Sequence, residues 1–337
     1  MKKKLYWQLP FLLFLIIGTV VIVRQQRSTP YQHDEGQVFG TFYHITYQND
    51  SSLNNEILAE LAKVDSALSM FNKESIISRI NKGENVETNE MFNTVFSLAE
   101  DIADNTNGAF DITVAPLVNA WGFGFKTGNP PSKATIDSLR SVVGYKKVSL
   151  KNNHISKTDP RVMLDCSAIA KGYGCDVVAA LLRRHSIDNY LVEIGGEVVA
   201  KGISEKRLPW KIGVTKPSDD SLAVDKELQT VLNVKNMAMA TSGNYRNFYY
   251  KNGKKYAHTI DPKTGYPVQH NILSATVLAK HCAEADAYAT SFMVMGLDKA
   301  KQVLDKHPEL MAYLIYADHK GNMQVWYSPS MKDKILK

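Results

Sequence analysis

The chain reads as an α+β protein, a single domain of largely antiparallel sheets with packed helices, preceded by an N-terminal transmembrane helix. Three observations predict this. Apolar runs of strand length outnumber helical ones, and many are separated by hairpin-sized gaps. Strands and helices do not alternate as a regular βαβ array. No internal repeat and no second low-complexity linker divides the 337 residues, whose 44% apolar and 22% charged composition is that of an ordinary globular protein.

The amino terminus stands apart. Lys2, Lys3 and Lys4 precede an apolar run from Leu5 to Val23 that is broken only by Gln8, Pro10, Gly18 and Thr19. At about 1.5 Å per residue such a helix reaches across most of a hydrocarbon core of about 30 Å. The lysines hold the amino terminus in the cytoplasm and leave everything after Arg24 exported. No small-x-small pattern follows Val23, which favours an uncleaved anchor over a signal peptide, and no cysteine lies near enough for a lipid tether. The division is therefore a basic tip (1–4), a single-pass anchor in the inner, cytoplasmic membrane (5–23), a linker (24–35) and a body on the extracytoplasmic side (36–337).

The formal charge is +6, but Lys2, Lys3, Lys4, Arg24 and Arg27 supply most of it and the body is nearly neutral. Without a basic stripe, nucleic-acid binding has no support. Cys166, Cys175 and Cys282 lack metal-ligand spacing and read as buried small apolar residues, although an exported compartment permits one disulfide.

Within the body, residues 39–47 alternate and are rich in aromatic and β-branched types, which predicts a strand. Residues 52–70 carry apolar side chains at helical spacing after a serine cap. Further helices are expected near 90–105, 136–142, 167–185, 283–295 and 297–306. Strands are expected near 147–150, 190–194, 197–201, 210–214, 230–235, 237–241, 274–278, 311–316 and 323–327.

Four segments carry unusual chemistry. His258-Thr259-Ile260-Asp261-Pro262-Lys263-Thr264-Gly265-Tyr266-Pro267 follows two aromatic-rich runs joined by Asn252-Gly253, a hairpin signal, so His258 lies near a strand end. Tyr256, His258 and Ile260 alternate onto one face, until Pro262 and Gly265 impose a turn. Alone, the segment fits a packed histidine beside a turn as well as it fits a site. The run from Gly108 to Gly124 ends in Trp121-Gly122-Phe123-Gly124, a wall suited to a planar ring, although core packing explains it equally simply. In Leu164 to Asp176 a strand ends at Asp165, Ser167 can cap a helix, and backbone N–H groups with Lys171 suit a phosphate. Gly172 and Gly174 each give up about 1 kcal/mol of helix propensity, so either a ligand or a neighbouring element approaches closely. Asp286 and Thr290 lie one turn apart on an alanine-rich helix, as oxygen ligands of Mg²⁺ do and as many solvated pairs also do.

Together these segments imply a planar ligand, phosphates and a hard cation near a histidine. The chain resembles the ApbE family, the FAD:protein FMN transferases. The resemblance is carried by Gly40-Thr41, S-I-I-S-R-I-N from Ser75, F-D-I-T-V-A-P-L-V-N-A-W-G-F-G from Phe110, D-C-S-A-I-A-K-G-Y from Asp165, V-E-I-G-G-E from Val192, T-S-G-N-Y-R-N from Thr241, the His258 segment and A-D-A-Y-A-T from Ala285. They occur in family order over nearly everything after the anchor.

The resemblance implies a T-fold-related α+β domain holding FAD in a cleft, with Mg²⁺ against its pyrophosphate. Asp286, Thr290 and the backbone oxygens of Ala168 and Ala289 would be metal ligands. Phe39, Phe71, Trp121, Gly122, Phe123, Asp165, Lys171 and Ile260 would contact the flavin nucleotide. Phe39 stands where relatives often have Met, and Phe71 where many have Tyr, so a phenolic hydrogen bond is lost. The implied reaction moves FMN from FAD to a Thr or Ser hydroxyl of an exported or membrane protein and releases AMP. His258 would be the base, oriented by Asp261 or a neighbouring group, since an imidazole of unperturbed pKa about 6.5 accepts protons near neutrality. Implied acceptors are flavoprotein subunits of redox-driven ion pumps or other exported electron-transfer proteins. A Mg²⁺-dependent FAD pyrophosphatase and a membrane-tethered FAD carrier remain the alternatives.

Overall fold

Two residues of positive φ, Phe39 (53°) and Gly40 (71°), fold the first hairpin, β1 (Tyr31–Val38) against β2 (Thr41–Gln48). Such a two-residue turn matches the twist of antiparallel strands. The computed structural model describes residues 10–19, 29–124, 130–217, 227–244, 248–251, 254–269 and 271–336. β1 corrects the sequence reading at two points. The expected linker 24–35 gives way to a strand from Tyr31, and the strand expected from Phe39 starts at Thr41. β1 is an edge strand with one solvated face, so its composition is polar, and phenylalanine is not a turn residue by propensity.

Residues 10–19 form a helix, α1. Among the described residues no helix is long and apolar enough to cross a membrane. Residues 5–9 and 20–23, which complete the expected anchor, lie outside the described part.

The next helices are α2 (Asn54–Leu68), α3 (Ile76–Asn81), α4 (Glu90–Asn105), α5 (Ala115–Ala120) and α6 (Lys133–Arg140). The hairpin of β3 (Val148–Lys151) and β4 (His154–Lys157) follows, and then α7 (Ala170–Arg184). β5 (Tyr190–Ile194), β6 (Glu197–Lys201), β7 (Trp210–Thr215), β8 (Leu228–Val234) and β9 (Met237–Gly243) lead to the hairpin of β10 (Phe248–Lys251) and β11 (Lys254–Ala257). The chain continues through β12 (Ile272–Ala279), α8 (Cys282–Met295), α9 (Leu297–Lys306), β13 (Met311–Ala317), β14 (Met323–Tyr327) and β15 (Ile335–Leu336).

Eight strands form one antiparallel sheet in the order β1-β2-β5-β6-β9-β12-β13-β14. Alternation sends neighbouring side chains to opposite faces, and here both faces of its centre are covered. Ala240, Val277, Ala312 and Leu314 face the core that includes α4 and α8. Their neighbours Met239, Leu278, Tyr313 and Ile315 pack with Trp210, Val214, Leu232 and Val234 of the small sheet β15-β8-β7. β6 therefore carries the apolar run Val198-Val199-Ala200 and β12 the run Val277-Leu278-Ala279, unlike the solvated β1.

Side-chain caps start α3, α4 and α6. Ser75, Asn89 and Ser132 accept from the N–H groups of Ser78, Phe92 and Thr135. The cap expected from Ser167 is not used, because α7 starts only at Ala170 after a turn closed by Ala170 N–H to Cys166 O at 2.8 Å. α8 is buried almost all round, which marks a central helix.

The two glycines of α7 have different neighbours. A Cβ on Gly172 would lie 2.4 Å from the Cys282 carbonyl oxygen, so α7 and α8 touch backbone to backbone. A Cβ on Gly174 would meet the Phe39 ring at 2.8 Å. Close packing of protein against protein therefore accounts for both.

Candidate functional site

The cleft lies where the amino end of α7, the face of α8, the end of β9 and three loops converge. Its volume is about 400 Å³. Its apolar lining includes Met70, Phe71, Val114, Val118, Phe123 and Val294, and its polar lining includes Asp165, Lys171, Glu197, His258, Asp286 and Thr290.

The carboxylate of Asp286 is only 3% exposed, a costly position unless it is paired. Its Oδ2 accepts from Gly172 N–H at 3.1 Å and lies 3.8 Å from Lys171 Nζ. The first bond depends on the missing Cβ of Gly172, which lets the two helices meet. Thr290, one turn further along α8, shares a hydrogen bond of 3.0 Å with Ser242 at the end of β9. Lys171 Nζ lies 2.9 Å from Glu197 Oε1 at the start of β6.

Asp165 and Asp111 form another acidic edge. Burial raises both carboxyls above the usual range, against hydrogen bonds from Ser167 and from Thr113 and Tyr145 respectively. Asn81 clamps the backbone before Asp165, with Nδ2 donating to Leu164 O and Oδ1 accepting from Leu164 N–H, both at 2.8 Å. The last residue of the S-I-I-S-R-I-N segment is thus a scaffold for the site.

The loop carrying His258 is closed by its own backbone. Asp261 N–H donates to Tyr266 O at 2.9 Å, Gly265 N–H to Asp261 O at 2.8 Å, and Ile260 bridges Pro267. Gly265 has φ 78°, and an added Cβ would strike Ile136 at 2.7 Å, so glycine is required there. Trp121 Nε1–H donates to Gly265 O at 2.7 Å and pins the loop to the end of α5. Aromatic rings extend the contact. Trp121 stacks on Tyr256 (5.5 Å), Tyr256 on Tyr249 (5.3 Å) and Tyr249 on Phe123 (5.3 Å), whose ring meets the edge of His258 at 6.4 Å.

The ApbE family model matches residues 39–315. The chain belongs to the ApbE family. An FAD:protein FMN transferase of Haemophilus influenzae is 39% identical over 88% of this chain and 89% of its own length. That of Escherichia coli is 34% identical over 90% and 88%. Among solved structures, the flavin transferase ApbE of Vibrio cholerae is similar at a TM-score of 0.82 and 34% identity, covering 90% of this chain and 99% of that one. The ApbE protein of Thermotoga maritima reaches 0.79 at 27% identity, covering 91% and 100%.

Of the residues expected at the site of this ApbE-family chain, Phe71, Phe123, Asp165, Ala168, Lys171, His258, Ile260, Asp286 and Thr290 line the cleft. Five do not. Phe39 packs against Gly174, Trp121 latches the His258 loop through Gly265 O, Gly122 closes the turn after α5 with its N–H on Asn119 O, and Ala289 is buried within α8. Asp261 builds the turn, its Oδ1 accepting from Lys263 N–H at 2.9 Å. Sequence reasoning missed Glu197, Asp111 and Ser242 as lining residues. An acid opening the apolar run Glu197-Val198-Val199-Ala200 directly after two glycines was the available signal for Glu197.

Proposed function

We propose that this enzyme transfers FMN from FAD to a Thr or Ser hydroxyl of another protein in a Mg²⁺-dependent reaction that releases AMP. The observation that carries the reading is the meeting of His258, Lys171 and the Asp286 and Thr290 pair in one cleft with an aromatic and aliphatic lining. Membership of a family whose relatives bear the name FAD:protein FMN transferase supports it.

The donor set fits a hard divalent cation. Asp286 and Thr290 offer oxygens one helical turn apart, and no group of three or more His, Cys, Asp or Glu side chains suited to a metal occurs among the described residues. Phosphate and water oxygens would complete its coordination, as is usual for Mg²⁺. Asp286, Thr290 and the Ala168 carbonyl would hold it, and when bound it neutralises charge on the pyrophosphate.

The chain's own groups do the rest. Phe71, Phe123 and Ile260 give the isoalloxazine an apolar wall, and Lys171 supplies a cation for the phosphates. His258 accepts the acceptor's hydroxyl proton as that oxygen bonds to the FMN phosphorus. The bond from this phosphorus to the bridging oxygen breaks, and AMP leaves with that oxygen. The apolar lining from Val114, Val118 and Val294 limits water, which would otherwise replace the protein hydroxyl. We further propose that the apolar amino-terminal segment tethers the body outside the inner membrane, near exported electron-transfer flavoproteins and ion-pump subunits that serve as acceptors.

Incubation with FAD, Mg²⁺ and an acceptor subunit, followed by mass spectrometry, tests the reading. A flavin adduct on Thr or Ser with equimolar AMP is expected. FMN and AMP without adduct would mean a pyrophosphatase, and intact FAD throughout would mean a carrier. His258→Ala is expected to bind FAD normally yet lose about 10²–10⁴-fold in transfer rate. A parental rate would remove the histidine from the base role.

A further inference from the structure

Lys171 sits between two buried carboxylates, and the geometry ranks them. Its Nζ is 2.9 Å from Glu197 Oε1, within hydrogen-bond reach, and 3.8 Å from Asp286 Oδ2, beyond it. Coulomb attraction falls inversely with distance, so the Glu197 contact is roughly 1.3-fold the stronger before its hydrogen bond is counted. Glu197 is well fixed. Its side chain is 2% exposed, it follows the turn made by Gly195 (φ 61°) and Gly196 (φ 98°), and its carbonyl accepts from Cys175 Sγ–H of α7 at 3.3 Å. The stem of Lys171 is held over the same turn, since a Cβ on Gly195 would lie 3.4 Å from Lys171 Cδ.

We infer that Glu197 is a positioning residue that acts through Lys171. It draws the ammonium off Asp286, leaving that carboxylate available to a divalent cation. Without the charge of Glu197, Lys171 moves toward Asp286 and competes with the cation. This inference rests on the cation and phosphate site proposed above and assigns a role to a further residue of that cleft.

The consequence is a split that simple loss of structure would not give. In Glu197→Gln the amide retains size and an acceptor oxygen but loses the charge. Titration of MgCl₂ into the FAD-loaded protein, followed by calorimetry, is expected to show affinity lowered about tenfold, while FAD affinity measured without Mg²⁺ is equal or higher. In a Lys171→Met background the same Glu197→Gln change is expected to leave Mg²⁺ affinity unaltered, since residues that act through one another are non-additive. Glu197→Asp, which keeps the charge, should recover part of the loss and also serves if the glutamine variant folds poorly.

Equal Mg²⁺ affinity in the parent and Glu197→Gln, an equal loss in both backgrounds, or no measurable Mg²⁺ binding by the parent would each overturn the inference. Its fate is separable from that of the transfer reaction. Mg²⁺ binding with the expected dependence but no flavin adduct on any acceptor would sink the transferase reading and leave the role of Glu197 standing.

Discussion

Gly172→Ala sets helix propensity against packing with opposite signs. On an isolated helix, alanine gains about 1 kcal/mol over glycine. Here the new Cβ would stand 2.4 Å from Cys282 O, 2.6 Å from Cys282 C and 2.8 Å from Ala283 Cα. Ordinary contact begins near 3.4 Å, so the nearest atom is about 1 Å too close, and all three are backbone of α8, which no rotamer change can move. Overpacking costs typically about 1–3 kcal/mol, and a rigid backbone neighbour places this case at the upper end. Gly172 N–H also donates to Asp286 Oδ2 at 3.1 Å, a bond that lengthens as the helices part. Net destabilisation of about 2 kcal/mol follows, which for a domain of this size is a Tm fall of about 3 °C. Thermal unfolding of the full chain followed by circular dichroism measures it. A Tm equal to or above the parent would refute the reasoning, because propensity alone would then decide.

Trp121→Phe keeps a ring but leaves Gly265 O without its indole donor, costing about 1–3 kcal/mol. Faster hydrogen exchange at the Asp261 and Gly265 amides, with the central sheet unchanged, is the expected local signature. Glu100 is pushed up to about 7 by burial and then by the charges of Asp111, Asp104 and Asp101. A carboxyl raised in the folded state makes its stabilising contribution at low pH and loses it as pH rises through about 4.5 to 7. Glu100→Gln should therefore raise Tm at pH 8 relative to the parent and not at pH 4, and equal differences at both would refute the assignment. Burial raises the thiol pKa of Cys166, Cys175 and Cys282. An aqueous disulfide reagent should titrate no thiol in the native protein and three after denaturation. One after denaturation would instead reveal a disulfide.

Much of this protein was legible in its sequence because periodicity records which faces are buried. α4, α9, β5, β6 and β14 appear at their expected bounds, and the α+β class follows from hairpin spacing. The cleft residues His258, Lys171, Asp286 and Thr290 could be named from residue type and spacing together with family order. Other features were set by contacts distant in the chain. β1 escaped notice because an edge strand needs only one apolar face, and only the folded loop shows the Asp261 carboxylate accepting from Lys263 N–H within its own turn. Trp121 and Phe123 are two residues apart, yet one is a buried latch on Gly265 and the other faces the cleft. Glu197 and Lys171 are distant in sequence, and only the crossing of α7 over the turn between β5 and β6 makes them an ion pair. Local pattern determines which side chains exist and which faces they prefer. Distances between groups far apart in the chain, such as the 2.9 Å and 3.8 Å about Lys171, arise only when the elements pack.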